Sequence, residues 1–141
     1  MFLLDTHVVS ELRKVRSGKG DKNVASWADC VDAAWLFMSV VSVQAIEIGV
    51  LLAERRDAVQ GALVRQWLSD RVLPAFEGRI IGIDTNIAIR SASLHAPNPH
   101  NFRDGLIAAT ALVHGLTLVT RNVTDFETTG VVLLNPWASH Q

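Results

Sequence analysis

Two carboxylates frame one short stretch of this chain, Asp104 to Phe126, DGLIAATALVHGLTLVTRNVTDF. Asp104 opens an apolar helical run, and Asp125 closes the polar loop that follows a short apolar segment. A third acid, Asp5, comes directly after Met1-Phe2-Leu3-Leu4, and a fourth, Glu47, lies within SVVSVQAIEIGV. Acids at the ends of regular elements, rather than along exposed faces, suggest a site. If they converge, mutual repulsion keeps some of them protonated unless a cation compensates. An all-oxygen donor set favours a hard ion, Mg²⁺ or Mn²⁺, over zinc. Such an ion can deliver a deprotonated water to a phosphodiester and offset charge on the phosphoryl oxygens.

Each acid also has a plainer role. Asp5 can cap a strand end, although burial without a partner is costly for a carboxylate. Glu47, between Ile46 and Ile48, can be a solvated helix residue. Asp104 can be a favourable charge in a helix's first turn, worth about 0.3–1 kcal/mol. Asp125 can be a turn residue. Asp84 before an apolar helix is fully explained as an N-cap. Thr6, Thr120 and Asn122 are expected to orient the acids, and Arg121 either holds a phosphate or lines a loop.

Other chemistries lose support. The histidines at 7, 95, 100, 114 and 140 form no i, i+4 pair and no HExxH motif, which disfavours zinc catalysis. There is no GxSxG, Walker A or GxGxxG motif, so hydrolase-elbow, NTPase and dinucleotide readings weaken. A haloacid-dehalogenase-type phosphatase wants a second Asp two residues after Asp5, where this chain has His7.

The elements that must position these residues alternate. Apolar strands are expected at residues 1–5, 35–41, 79–83, 116–120 and 131–134. Helices are expected at 8–15, 24–33, 43–56, 58–73, 85–94 and 104–114, with Ser42 as an N-cap, Pro74 as a stop and Gly115 at a helix C-terminus. Residues 16–23, RSGKGDKN, read as a flexible basic loop, and 96–102, APNPHNF, as a Pro-rich one. Strands apolar throughout imply a parallel sheet covered by helices on both faces, an α/β fold. Ligands then bind beyond the carboxyl ends of the strands, which is where Asp5 and Thr120-Arg121-Asn122 fall, with Glu47 in the second turn after the second strand.

The length, 141 residues, suits one domain spanning 1–141. Charged residues are 19% and hydrophobic residues 49% of the chain, a surplus of apolar surface that predicts a self-interface besides the core. The formal net charge of −1 neither predicts nor forbids a nucleic-acid partner, because a local basic rim suffices. One cysteine, Cys30, excludes an intramolecular disulfide and fits a reducing cytoplasm. Neither a signal peptide nor a membrane span is expected.

Three blocks, LLDTHVVSEL at 3–12, SVVSVQAIEIGV at 39–50 and DGLIAATALVHGLTLVTRNVTDF at 104–126, resemble the motif blocks of PIN-domain ribonucleases. The tail GVVLLNPW at 130–137 is similar to that of their FitB-like VapC toxins, of type II toxin–antitoxin pairs. The resemblance runs end to end. It implies a PIN fold and a Mg²⁺-dependent endoribonuclease acting on structured RNA, often tRNA or rRNA. It also implies a homodimer and an antitoxin that covers the site with a basic side chain and binds DNA through its other end. Carried over residue by residue, Asp5, Glu47, Asp104 and Asp125 are the motif acids, with Asp5 and Asp104 on the metal and Asn122 competing with Asp125. Arg121 and the Arg16–Lys22 loop are then expected at the RNA backbone. One departure is His7, where the family usually has Asn. Activity is expected to survive it, with an effect on pH profile or metal affinity. A PIN-like module that binds without cutting is the rival reading.

Overall fold

The computed structural model describes residues 1–97, 99 and 101–138. His100, His140 and positions 98 and 100 of the Pro-rich loop lie outside the described residues. Five short strands, β1 (Phe2–Leu4), β2 (Leu36–Ser39), β3 (Ile80–Ile81), β4 (Thr117–Val119) and β5 (Leu133–Leu134), form a parallel sheet in the order β3-β2-β1-β4-β5. The helices are α1 (Thr6–Arg16), α2 (Lys22–Cys30), α3 (Val40–Arg56), α4 (Ala58–Trp67), α5 (Leu73–Ala75), α6 (Thr85–His95) and α7 (Phe102–His114). The expected α/β architecture, a five-stranded parallel sheet with helices on both faces, is what the chain adopts.

Alternation along the strands divides the core in two. Leu4, Met38 and Val119 pack with Val8 and Val9 of α1, Trp27 of α2, and Ile46 and Val50 of α3. Leu3 and Leu118 face the other way, onto Ile107, Ala108 and Ala111 of α7 and onto Phe126. Complete burial of Leu3, Leu4 and Leu118 contributes roughly 1.5–3 kcal/mol for each side chain. The first three strands step outward from β1 to β3, and the chain then returns to lay β4 on the other side of β1. Strand order therefore reverses between β1 and β4, which opens a crevice at their carboxyl ends.

Several boundaries differ from expectation for local reasons. Helix α1 begins at Thr6 because Asp5 itself caps it. The cap of α3 is Ser39, whose hydroxyl oxygen accepts the Val41 N–H at 3.0 Å, and not Ser42. β2 ends at Ser39 and the chain turns into helix at once, so α3 starts three residues before the expected Val43. Pro74 does not stop its helix: a π-helical turn, Leu68–Val72, precedes it and continues into α5. That widened turn accommodates a residue lacking an N–H. Asp84 and Gly115 act as expected, Asp84 accepting the Ile87 N–H and Gly115 ending α7 at φ 65°. Among the described residues, no helix is long and apolar enough to cross a membrane.

Helices α3 and α4 meet at Gly61. A Cβ there would stand 2.4 Å from the Glu54 Cα, a backbone atom that cannot swing aside. Gly61→Ala is expected to cost about 1–2 kcal/mol, because overpacking outweighs the gain in helix propensity. An unchanged urea midpoint would show that the two helices separate freely.

Candidate active site

The crevice is built around Asp5. β1 delivers this residue beside β4, where its N–H donates to the Val119 carbonyl at 2.9 Å. One carboxylate oxygen, Oδ1, accepts the Thr6 N–H at 2.8 Å and so caps α1. The other, Oδ2, accepts the Thr120 hydroxyl at 2.8 Å. Thr120, at the end of β4, is fully buried, and its Oγ1 accepts the Asn122 N–H at 3.1 Å. A carboxylate that is 6% exposed thus has a fixed orientation without a cationic partner in those bonds. Each oxygen keeps acceptor capacity beyond the single bond described.

Asp104 reaches the same place from α7. Asn101 caps that helix, accepting the Arg103 N–H at 2.9 Å, so Asp104 is its third residue rather than its first. Asn122 and Asp125 arrive from the turn after β4, joined by the Asp125 N–H donating to the Asn122 carbonyl at 3.1 Å. Asp5, Asp104, Asn122 and Asp125 all line one cavity of about 230 Å³. Thr6 and His7 of α1 line it as well. The Thr6 hydroxyl donates to Ser42 Oγ at 2.9 Å, and Ser42 is 1% exposed. Ser42, expected as a cap, instead ties α3 to the start of α1 beneath the site.

Glu47 is not in this cavity, and this corrects its expected place. Both its carboxylate oxygens accept Nη1 of Arg65 on α4, at 2.8 and 2.7 Å. Arg65 also donates to both oxygens of Glu54, through Nη2 at 3.1 Å and Nε at 3.4 Å. Hydrogen bonds from Glu54 first and Glu47 second raise the Arg65 pKa above its ordinary value. The α3 residue that lines the acid cavity is Ala45. At about 100° per residue, positions 45 and 47 point some 200° apart around the helix. We expect Glu47→Gln to leave Mn²⁺ binding, read by calorimetry, unchanged. A loss as large as that caused by removing Asp104 would put Glu47 back in the site.

Arg121 stands over the Trp137 ring, 5.2 Å from its centroid. It lines a neighbouring cleft with Lys14 and Asn122, not the acid cavity itself. Arg16, Lys19 and Lys22 of the expected basic loop do not line the acid cavity either. The cation that does is Arg103, a residue the sequence reading passed over. Its position in the first turn of α7, beside Asp104, was the available signal.

The donor set suits a hard divalent cation. Among the described residues, no three His, Cys, Asp or Glu side chains cluster closely enough to hold a metal by themselves. Mg²⁺ commonly takes one or two carboxylates and retains several waters, and Asp5 and Asp104 supply that number. Asn122 and Asp125 add oxygen donors suited to such waters.

A family model described as the PIN domain matches residues 2–131. The chain is 33% identical to the VapC ribonuclease Y4jK of Sinorhizobium fredii, over 97% of this chain and 98% of that protein. It is 32% identical to the toxin FitB of Neisseria gonorrhoeae, over 97% and 99% of the two chains. Its fold superposes on a chain in the structure of FitAB bound to the IR36 DNA fragment with a TM-score of 0.87. There the identity is 28%, with 100% of this chain and 99% of that one covered.

Proposed function

The chain belongs to the PIN-domain family, and on that premise we propose that it is a metal-dependent endoribonuclease, the toxin of a type II toxin–antitoxin pair. The observation that carries the reading is the gathering of Asp5, Asp104, Asn122 and Asp125 on one cavity at the carboxyl ends of β1 and β4. The names of the relatives, a VapC ribonuclease and a FitB toxin, support the activity and the role. The FitAB complex supports an antitoxin partner.

Asp5 and Asp104 would hold Mg²⁺, with Mn²⁺ as an alternative, and Asp125 and Asn122 would orient water beside it. The bound ion would supply a more acidic water and charge compensation at the phosphoryl oxygens. Hydrolysis places the water oxygen on phosphorus, breaks one bridging P–O bond, and leaves that oxygen as a hydroxyl. Thr120 fixes one Asp5 oxygen while the α1 backbone fixes the other. The Thr6–Ser42 bond holds the start of α1 against α3. Thr6, Thr120 and Ser42 are positioning residues in this scheme.

A homodimer fits the apolar residues left exposed on α3 and α4: Ile48, Leu51, Leu52, Val59 and Leu63. A site in the cytoplasm fits the RNA substrate and the lone cysteine. The deciding experiment incubates purified protein with total RNA and Mg²⁺, with and without EDTA, and sequences the new RNA ends. Discrete cuts that EDTA abolishes are expected. Intact RNA at every metal concentration, with binding retained, would favour a non-cutting module.

A further inference from the structure

Two clefts adjoin the acid cavity, and all three share His7. The larger cleft, about 640 Å³, lies between α1 and the α3–α4 pair. Ala45 and Gly49, one turn apart on α3, line it and bring almost no side-chain bulk to that wall. Ala45, Thr6 and Arg103 belong to both this cleft and the acid cavity, so the two adjoin. Arg13, Lys14 and Arg103 line the larger cleft, and no Asp or Glu does. For a chain of net charge −1 this is a local concentration of positive charge. The smaller cleft, about 290 Å³, holds Lys14, Arg121 and Trp137, with Glu11 as its one acid.

Each cleft carries the same device. In the larger, the Arg13 guanidinium stands 5.3 Å from the centroid of the Trp67 ring. In the smaller, Arg121 stands 5.2 Å from that of Trp137. Both rings rest on the first hydrophobic core, so both shelves are anchored, while both arginines are exposed. A guanidinium laid on an indole has its remaining N–H groups for phosphate and a plane for a base. Aromatic and arginine faces bind bases only when these are unstacked from a duplex.

Resting on the ribonuclease reading, we propose that the RNA strand crosses the acid cavity between these two Arg-on-Trp shelves, Arg13–Trp67 and Arg121–Trp137, as an unpaired segment. Phosphates meet Arg13, Lys14, Arg103 and Arg121, bases lie on the shelves, and His7 sits where the paths join. The duplex parts of a folded RNA stay outside.

The test uses a 12-nucleotide fluorescein-labelled RNA, single-stranded or annealed to its complement, and the Asp104→Asn protein so that binding is read without cutting. Arg13→Gln with Arg121→Gln is the informative double variant, since both side chains are exposed and Trp67 and Trp137 remain to pack. Single-strand affinity by anisotropy is expected to fall at least about fivefold, the low end for one lost stacking contact. The salt slope is expected to shrink by about 1.4, for two phosphate contacts. In the otherwise unaltered protein, KM should rise with kcat preserved, and duplex should compete poorly. Parental affinity and salt slope in the double variant, or duplex competing as well as single strand, would overturn the proposal. So would parental RNA affinity combined with loss of a co-expressed protein partner. Cutting by the parent with normal binding by the double variant removes the shelves and leaves the nuclease. Loss of binding in the double variant, with no cutting by the parent in any metal, keeps the shelves and removes the nuclease.

Discussion

Asp104→Asn is expected to lower RNA cleavage by more than about 100-fold, beyond the usual cost of losing a residue that merely supports a metal ligand. The substitution removes the charge while the side chain keeps its size, and the cap of α7 belongs to Asn101. Folding should therefore survive, and circular dichroism should overlay on the parent. Mn²⁺ titration by calorimetry should lose most of its heat. Asp5→Asn is expected to match this loss of cleavage but not this clean background. Asparagine caps helices as well as aspartate does, so the Thr6 N–H keeps its acceptor. The Thr120 hydroxyl, however, donates to Asp5 Oδ2 in a fully buried position, and an amide NH₂ there offers it no acceptor. A stability loss of roughly 1–3 kcal/mol should accompany the lost activity. Near-parental cleavage by both variants would end the metal-site assignment.

Ala45→Glu is expected to act in the opposite direction, tightening Mn²⁺ binding about tenfold or more and raising cleavage at limiting metal. Ala45 lines the acid cavity and is only half-buried, so a longer side chain has an exit as well as a pocket. At an effective dielectric of 20, one added carboxylate 4 Å from a cation's unit charge interacts by about 4 kcal/mol. Desolvation and displaced waters oppose this, and a tenfold gain needs only about 1.4 kcal/mol of it. Without metal the new acid should repel Asp5 and Asp104, so the thermal shift on adding Mn²⁺ should widen. An unchanged dissociation constant would mean that position 45 does not present its side chain to the metal.

The contrast between Ala45 and Glu47 shows where the sequence was readable. Asp5 was legible because an acid directly after a buried strand has few places to go. Thr120 and Asn122 were legible because β4 ends beside it, and Gly115 fixes where α7 stops. The phase of α3 was not legible. Ile46 and Val50 are buried on it while Ile48, Leu51 and Leu52 are exposed, so its apolar residues do not mark one face. With Ser42 taken as the cap in place of Ser39, nothing in the pattern contradicted a Glu47 aimed at the site. The partner that holds Glu47, Arg65, is eighteen residues away on another helix, a pairing that periodicity does not report. The Pro74 stop failed for a related reason, since a π-helical turn is a response to tertiary packing and leaves no clear mark in composition.

The side chain at position 45 belongs to neither hydrophobic core, although its helix is held at both ends, by the Thr6–Ser42 bond and by the Arg65 clamp on Glu47 and Glu54. On the proposed function, potency and foldability are therefore expected to be inherited separately in this molecule. A single codon at 45 is then expected to move the chain along a scale from sluggish to aggressive while the folding machinery of the cell handles the same protein. For a gene of the proposed toxin class, that would be a dose control adjustable in one mutational step, without passing through a misfolded intermediate.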